Sequence, residues 1–484
     1  MKLILTLIIL FVILIDSGIA QMNNDQIVFE NYSKYKSPYF DKKNFSHQTL
    51  RSAIEKLKSN KKLKIKIAGK STEGKNIYLV SVGKGKTKVL LWSQMHGDES
   101  TATMALFDIF NFFGADDDLN NIRKQVLDNL TVYFIPMLNP DGAEKFKRRN
   151  ALDIDINRDA LRLQFPESQI LKTVRDSICP KFAFNLHDQN TRYSSGRSYN
   201  SATLSFLAPA FNYEKDVNEV RANTMKLIVC ITETLNKFIP GHIAKYNDDF
   251  EPRAFGDNFV KWGTGSVLIE SGGWKNDPEK QFIRKLNYIS ILSGLFSIAD
   301  KNFENADIEK YHLIPFNDKL LFDVLLKNLT VANNGNNYLI DVGINNEEQF
   351  DKSRSGFYKS SIEDWGDLSI FHGYEELNLS GFEIKSSQVF SAADQDLEKL
   401  NFTELIKNGV GFIKVNSLPK NLDITKLPLN IFIDEKNIDL KPGYLKNATF
   451  TIWKDGKLSF NVINGFVYNL ESGIKTLGNG IIFD

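Results

Sequence analysis

The sequence between residues 47 and 299 alternates short apolar runs with longer segments of helical period. Runs typical of buried or half-buried strands lie at residues 63–68, 77–82, 89–93, 132–137, 182–186 and 267–269. Apolar residues recur at helical spacing in residues 47–57, 104–113, 214–238 and 279–299. Strands that alternate with helices are typical of a sheet covered by helices on both faces. We therefore predict an α/β fold with a mixed, mostly parallel sheet and helices on both faces.

The sequence pattern changes after about Asp300. Short alternating runs separated by Gly, Asn and Asp replace the helical period, and Asp455-Gly456 between the last two runs indicates a hairpin. A chain of 484 residues also exceeds what one hydrophobic core usually serves. We predict an α/β domain over residues 21–305 and a β-rich accessory domain over residues 306–484.

Residues 1–20 have the form of a secretory signal peptide. Lys2 precedes an apolar run over residues 3–15, and the small residues Gly18 and Ala20 lie just before Gln21. The run is short for a membrane span, and polar sequence begins at Gln21. We expect an exported protein, periplasmic or secreted, with no transmembrane segment after the signal is removed.

Charge and cysteine content exclude one class of partner and leave other questions open. Lys and Arg number 60 against 59 acidic residues, a formal net charge of +1, so nothing indicates nucleic acid as a partner. An exported protein can pair its two cysteines, Cys179 and Cys230, but buried free thiols fit their apolar contexts equally well. The pairing and the oligomeric state stay open.

His96 and Glu99 lie where an apolar strand ends and a helix begins, in the stretch Met95-His-Gly-Asp-Glu-Ser100. Ligands of doubly wound sheets bind at such strand ends. A catalytic zinc often takes two His and one Glu and leaves a fourth position for water. His187, at the end of another strand, is the candidate for the distant third ligand that this pattern needs, although a lone His in such a place is more often a buried core residue. The alternative is a surface turn whose Glu starts a helix, since acidic residues favour first turns.

Two further stretches place charged residues at strand ends or in an adjoining loop. The loop between Arg148 and Arg158 has neither helical nor strand period, and Glu270 ends the strand at residues 267–269. One charged residue at a strand end is common, and each Arg alone is most often a surface ion pair. Four such stretches within one α/β unit favour a functional site.

Residues 46–300 contain six short motifs: His96-Gly-Asp-Glu99, Asn139-Pro-Asp-Gly142, Arg148-Arg-Asn, Asp155-Ile-Asn-Arg158, Asn185-Leu-His187 and Ile269-Glu270. In this combination they resemble the zinc carboxypeptidases of the carboxypeptidase A type, peptidase family M14. The resemblance covers residues 46–300. It implies a hydrolase, a metalloprotease that uses one Zn²⁺ to remove the C-terminal residue of peptides with a free C-terminal carboxylate.

The resemblance also implies a role for each site residue. The zinc ligands are His96, Glu99 and His187, and Asp155 orients the ring of His96. Asn157 and Arg158 hold the terminal carboxylate of the substrate, Arg148 stabilises the oxyanion, and Glu270 is the general base. These roles agree with general chemistry. Zinc lowers the pKa of bound water, and a guanidinium can bind a carboxylate through two parallel hydrogen bonds.

The loop before Glu270 departs from the family pattern. Many members carry a Tyr there that closes over the substrate, and Tyr246 cannot be assigned to that role. The acidic residues Asp248, Asp249 and Glu251 predict a solvated loop, with a preference for basic substrate side chains as the alternative. The preferred C-terminal residue and the physiological substrate stay open.

Other activities are compatible with the same motifs. An N-acyl amino acid deacylase of the aspartoacylase type shares a His-Gly-x-Glu motif and often carries a C-terminal β domain, although the signal peptide speaks against it. A murein peptidase acting on cell-wall peptides would use the same zinc centre. A non-catalytic peptide-binding protein is disfavoured, because all three ligands and Glu270 are present.

Overall fold

A computed structural model of the protein describes residues 23–351, 354–393, 397–418, 423, 426–433 and 438–483. The predicted signal peptide, residues 1–20, lies outside the described residues. Residues up to Thr191 and Ala202–Asn317 form one compact unit, and Arg192–Ser201 with Asp318–Asp484 form a second. Within the described ranges no helix is both long and apolar enough to cross a bilayer. Both cysteines are free thiols, but Cys179 is exposed and Cys230 only partly buried, so neither is the fully buried thiol that its apolar context indicated.

The elements up to residue 318 include most of the helices of the described chain. The helices are α1 Asn24–Glu30, α2 His47–Leu57, α3 Thr101–Gly114, α4 Asn120–Asn129, α5 Pro140–Lys145, α6 Pro166–Ile178, α7 Glu219–Leu235, α8 Phe255–Lys261, α9 Gln281–Asp300 and α10 Glu309–His312. The strands are β1 Lys64–Lys70, β2 Asn76–Gly83, β3 Thr87–Ser93, β4 Leu130–Ile135, β5 Phe182–Asp188, β6 Ser194–Ser195, β7 Leu204–Leu207, β8 Ile243–Lys245, β9 Gly265–Ser271 and β10 Asn317–Asp318.

The first unit is built on an eight-stranded sheet with the order β1-β2-β4-β3-β5-β9-β7-β8. Strand β3 pairs in parallel with both β4 and β5, and β5 pairs in parallel with β9. The β7–β8 pair is also parallel, whereas β1–β2, β2–β4 and β7–β9 are antiparallel. The predicted mixed, mostly parallel sheet is therefore confirmed.

Side chains of successive residues in the central strands belong alternately to two separate hydrophobic cores, one on each face of the sheet. Val89 and Leu91 of β3 belong to a core shared with α3, α7 and α9. Leu90 and Trp92 of the same strand belong to a second core, shared with α6 and α8. Side chains alternate across a strand, so both faces of the sheet are covered by helices, as predicted.

The second unit is β-rich, in agreement with the prediction for the C-terminal region. Its elements are β11 Leu321–Asn333, β12 Asn336–Phe350, β13 Gly356–Gly366, β14 His372–Asn378, β15 Glu383–Lys385, β16 Gln388–Ala393, α11 Phe402–Lys407, β17 Val410–Val415, β18 Asn430–Ile433, β19 Phe450–Lys454, β20 Lys457–Ile463, β21 Phe466–Asn469 and β22 Ile482–Phe483. The predicted hairpin joins β19 to β20, where Asp455 and Gly456 both have positive φ, as a tight two-residue turn requires.

The strands of the second unit form two sheets, each with its own core. One has the order β13-β12-β11-β15-β19-β20-β21, with β14 also paired to β11. The other is a parallel sheet with the order β16-β17-β18-β22. Apolar residues of each sheet, among them Leu326 and Ile413, are fully buried. The second unit therefore has hydrophobic cores of its own.

Candidate active site

The candidate site lies at the carboxyl ends of three neighbouring parallel strands. His96 follows β3, His187 lies near the end of β5, and Glu270 lies near the end of β9. His187 and Glu270 are register partners on adjacent strands. All three side chains are buried. Parallel strands end at one edge of a sheet, so three distant segments of the sequence meet there.

His96, Glu99 and His187 form a group whose ligand atoms all lie within 4.8 Å of one another. The Nδ1 atoms of the two rings are 3.1 Å apart. The Nδ1 atom of His96 lies 2.7 Å from Oε1 of Glu99, and that of His187 lies 2.6 Å from Oε2. Zn–N bonds are about 2.0–2.1 Å long, so nitrogens at this separation can reach one ion.

The electrostatics of this group fit a bound cation. Burial opposes the charge of Glu99, but the two imidazoles beside it outweigh burial and hold the pKa of this carboxyl well below its usual range. Burial lowers the pKa of His187 and so favours its neutral form. An ionised carboxylate and a neutral imidazole are the states in which these side chains bind metal. Burial opposes a charge on His96 as well, but Glu99 and Asp155 raise the pKa of this ring, so metal binding there would release a proton. With His96 deprotonated, the three side chains fit the zinc site that the sequence predicts.

Asp155 connects His96 to Arg148. Its Oδ1 lies 3.1 Å from Nε2 of His96, the ring nitrogen that faces away from the ligand group. Its Oδ2 accepts from Nε and Nη2 of Arg148, at 3.2 and 2.9 Å. Burial opposes the charge of Asp155, but His96 and Arg148 hold its pKa well below the usual range. A carboxylate on the far nitrogen fixes the tautomer and the orientation of a ligand ring.

Arg148 points its remaining nitrogen at the ligand group. Its Nη1 lies 3.2 Å from Oε1 of Glu99 and 3.1 Å from Nδ1 of His96. The side chain is 43% exposed, so one part of the guanidinium faces solvent. A guanidinium in this place can stabilise negative charge that develops beside the ligand group.

Asn157 and Arg158 lie on a short 3-10 helix, Ile156–Arg158, that begins at Asp155. Oδ1 of Asp155 accepts from the backbone N–H of Asn157 at 2.9 Å. Oδ1 of Asn157 accepts from the backbone N–H of Phe255 at 2.9 Å. Within the described ranges, neither Nδ2 of Asn157 nor Nη2 of Arg158 has a hydrogen-bond partner in the protein. One carboxylate therefore orients the His96 ring and also starts the turn that carries both donors.

Glu270 has strong electrostatic neighbours. Burial, and the negative charges of Glu99 and Asp188, raise the pKa of Glu270 well above its usual range. The positive charges of Arg148 and Lys280 act in the opposite direction. A raised pKa brings a carboxyl closer to neutral pH, where a base can take up a proton and also return it.

Asn139, the first residue of the Asn139-Pro-Asp-Gly142 motif, caps a helix and bonds to two other segments of the site. Residues 140–145 form helix α5, and Asn139 caps it by accepting from the N–H of Gly142 at 2.9 Å. Its Nδ2 donates to the carbonyls of Met95 and Arg148 at 3.3 and 3.4 Å. Asn-Pro is a helix-start signal as well as a turn signal, so the cap was detectable. The bond to Met95, 44 positions earlier in the chain, was not detectable from the sequence.

The acidic loop before Glu270 does not offer a free negative pocket. Asp248 pairs with the buried Arg221 at 2.6 Å, and Asp249 pairs with Lys215 at 3.0 Å. Glu251 lies 2.7 Å from Arg253 and 3.3 Å from Arg158. Each of these three acids therefore has a cationic partner within the protein.

Comparison with known proteins identifies one family. Residues 50–201 match the family model for zinc carboxypeptidases. Carboxypeptidase SOL1 of Arabidopsis thaliana is 25% identical over 121 residues, which cover 22% of this chain and 25% of that protein. Carboxypeptidase 2 of Trichophyton rubrum is 25% identical over 114 residues, which cover 24% of this chain and 20% of that protein. The chain thus spans a quarter or less of the length of these relatives.

Among solved structures, a metallo-carboxypeptidase from Burkholderia cenocepacia is similar at 16% sequence identity. The match covers 55% of this chain and 71% of that chain, with a TM-score of 0.44.

Proposed function

We propose that this chain, a member of the zinc carboxypeptidase family through residues 50–201, is a metallocarboxypeptidase. It would hydrolyse the C-terminal peptide bond of peptides that end in a free carboxylate. The observation that carries the proposal is the convergence of two sets of side chains. His96, Glu99 and His187 form the metal-binding group, and Asp155 links it to Arg148 and to the turn of Asn157 and Arg158.

His96, Glu99 and His187 would hold one zinc ion, which lowers the pKa of a bound water and polarises a carbonyl. Glu270, on the strand beside His187, would accept the proton of the attacking water and return it to the leaving amine. Arg148 would face the negative charge on the scissile carbonyl oxygen, since its Nη1 points at the metal-binding group.

Asn157 and Arg158 would bind the terminal carboxylate. The guanidinium of Arg158 and the amide of Asn157 offer N–H groups from one turn, and a bidentate contact to a carboxylate suits a guanidinium. A substrate without that carboxylate would leave a charged donor unpaired, and this would restrict the enzyme to chain ends.

The proposal includes export and domain organisation. Residues 1–20 would direct secretion, and N-terminal sequencing of the mature protein should begin at Gln21. Residues 21–305 would form the catalytic domain and residues 306–484 an accessory domain.

One experiment tests the activity. The zinc-loaded protein is given a peptide with a free C-terminus and the same peptide amidated, and the products are read by mass spectrometry. An unmet hydrogen bond to a charged group costs about 1.5–3 kcal/mol, so the amidated peptide should be cut at least roughly tenfold more slowly. Equal cleavage of the two peptides would contradict the carboxylate-binding role of Arg158.

The acyl side of the substrate separates the competing activities. A carboxypeptidase should act faster as the chain upstream of the scissile bond grows from an acyl group to a short peptide. Cleavage of short N-acyl amino acids alone would instead favour the deacylase, and cleavage restricted to cell-wall stem peptides would favour the murein peptidase.

Metal content is the second arm of this experiment. His187→Ala should lose the tightly bound zinc of the wild type. His47→Ala is the matched control, because His47 contacts the carbonyl of Asn76 and lies outside the metal-binding group. Equal zinc in His187→Ala and wild type would overturn the ligand assignment.

A further inference from the structure

Arg158, the proposed carboxylate-binding residue, is itself held by a carboxylate of the protein. Its Nε lies 3.3 Å from Oε2 of Glu251. Its Nη1 donates to the backbone carbonyl of Asn157 at 2.8 Å. The Arg158 side chain is 37% exposed and that of Glu251 28%. Glu251 thus contacts one edge of the guanidinium, and the edge formed by Nη1 and Nη2 keeps N–H groups for a ligand.

Arg253 balances the charge of Glu251. Its Nε donates to Oε1 of Glu251 at 2.9 Å, and its Nη2 donates to Oε2 at 2.7 Å. This side-chain contact is the main reason that the pKa of Glu251 is lowered to about 2. Glu251 is therefore ionised at neutral pH, and Arg253 offsets the repulsion that its charge would exert on an incoming carboxylate.

The backbone around Glu251 is attached to the segment that carries Arg158. The N–H of Glu251 donates to Oδ1 of Asp257 at 3.0 Å. The N–H of Ala160 donates to the carbonyl of Arg253 at 3.1 Å. The N–H of Phe255 donates to Oδ1 of Asn157. This bond and the bond from Ala160 join the loop to residues on either side of Arg158. Glu251 therefore has a fixed place beside Arg158.

We propose that Glu251 is a positioning residue for substrate binding, which holds Arg158 by Nε so that the Nη1–Nη2 edge receives the substrate's terminal carboxylate. This inference rests on the proposed function. A free Arg side chain loses much rotamer freedom when it binds a ligand, and a partner that holds it beforehand reduces that loss. Glu251 touches no reacting atom, so its effect should fall on substrate binding and not on the chemical step.

The test is the kinetics of Glu251→Ala with the free and the amidated peptide. We expect the KM for the free peptide to rise about threefold to fivefold, as for loss of a partly exposed ion pair, while kcat stays within about twofold. The kcat/KM for the amidated peptide should stay unchanged. Glu251→Gln keeps an oxygen near Arg158 Nε but lacks the charge, so it should recover only part of the loss. Asp249→Ala, on the same loop but paired with Lys215, is the matched control and should behave like wild type.

Arg253→Ala is a second variant that does not depend on the folding of Glu251→Ala. Arg253 is 56% exposed, and its loss leaves the charge of Glu251 unbalanced beside Arg158. The KM for the free peptide should rise severalfold, and less so at high salt, with no change for the amide. Unchanged KM values in the Glu251→Ala and Arg253→Ala variants would overturn the inference. A lower KM in Glu251→Ala would also overturn it, because Glu251 would then compete with the substrate.

A binding measurement separates this inference from the proposed function. Calorimetry on the zinc-loaded protein in the Glu270→Gln background, where turnover is slow, compares an acetylated dipeptide with its amide, with and without Glu251→Ala. If wild type cuts peptides and prefers the free form but Glu251→Ala binds the dipeptide as tightly as wild type does, only the role of Glu251 is wrong. If wild type neither cuts nor prefers the free form, the proposed function itself fails.

Discussion

Glu270 and its charged neighbours determine what the site can do at the level of single residues. Asp188, one of the groups that raise the pKa of Glu270, is itself contacted by Lys280 at 3.1 Å and by Thr101 at 2.6 Å. The carboxyl of Glu270 is thus surrounded by groups that are held in place. A buried carboxyl of this kind is a candidate for proton transfer.

Replacing Glu270 should separate metal binding from catalysis. Glu270→Gln keeps the shape of the side chain and leaves His96, Glu99 and His187 unchanged. We expect full zinc content and a kcat that is lower by a factor of about 10²–10⁴, the range typical of a lost general base. Metal analysis and peptide hydrolysis check this together. Glu233→Gln, which alters an exposed pair with Lys310, should match wild type. Near-normal turnover in Glu270→Gln would assign the base role elsewhere.

The buried side chain of Asp257 should make the free energy of unfolding depend on pH. Burial raises its pKa to about 7, well above the value of about 3.9 expected in the unfolded chain. Between about pH 4 and pH 7 the folded state therefore binds more protons than the unfolded state. The free energy of unfolding accordingly falls as the pH rises through this range. Asp257→Asn removes the titration and keeps an oxygen that can accept from the N–H of Glu251.

The gain in unfolding free energy of Asp257→Asn over wild type should grow from pH 4 to pH 7, by at most about 1.4 kcal/mol per pH unit, and then level off. Urea unfolding of both proteins at several pH values measures it. Parallel stability curves across this range would show that Asp257 does not titrate as the structure indicates.

At the level of secondary-structure elements, the correct predictions are a helix that is buried on one face and a strand that is apolar along most of its length. Helix α2 spans the predicted residues 47–57, and β3 contains the predicted apolar run. Helix α8 was missed because six of its seven residues are buried, which leaves no polar face for a periodic pattern. Helix α4 was missed because only Ile122, Arg123 and Val126 are buried.

The same physical limits apply to the candidate site. His96, Glu99 and His187 each follow or end a strand, so strand-end reasoning brought them together. The bond of Asn139 to Met95 and the contact of Glu251 with Arg158 join segments far apart in sequence. No local periodicity encodes such contacts, and they became visible only in the folded chain.

The turn that carries His96 depends on close packing against helix α5. A Cβ atom at Gly97 would collide with the backbone of Gly142 and Ala143. Backbone atoms cannot rotate away, so Gly97→Ala should displace the turn together with His96. We expect zinc affinity to fall at least roughly tenfold and stability to fall by about 1–3 kcal/mol. Gly443→Ala, whose Cβ would lie 3.9 Å from its nearest neighbour, is the control. Unchanged zinc affinity would contradict this account of the turn.

At the scale of the whole molecule, the second unit is not continuous in sequence. It takes Arg192–Ser201 from between two segments of the first unit. Arg192 is the anchor of that segment: its Nε donates to Asp323 at 2.9 Å and its Nη2 to the carbonyl of Asn346 at 3.0 Å. The Arg192 side chain is 13% exposed. Strands β11 and β12 therefore depend on a residue that lies more than a hundred positions earlier in the chain.

Arg192→Ala should destabilise the second unit selectively. It removes the partner of Asp323, which is left with the N–H of Asn346 at 2.7 Å as its remaining hydrogen bond within the described ranges. Loss of hydrogen bonds to a charged group costs roughly 1.5–3 kcal/mol. Hydrogen–deuterium exchange should show faster exchange in β11 and β12 and unchanged protection in β3 and β5, because each unit has its own core. Lys457→Ala, which breaks an ion pair exposed on both sides, should leave exchange unchanged. Equal loss of protection in β3 and β11 would mean that the two units unfold as one.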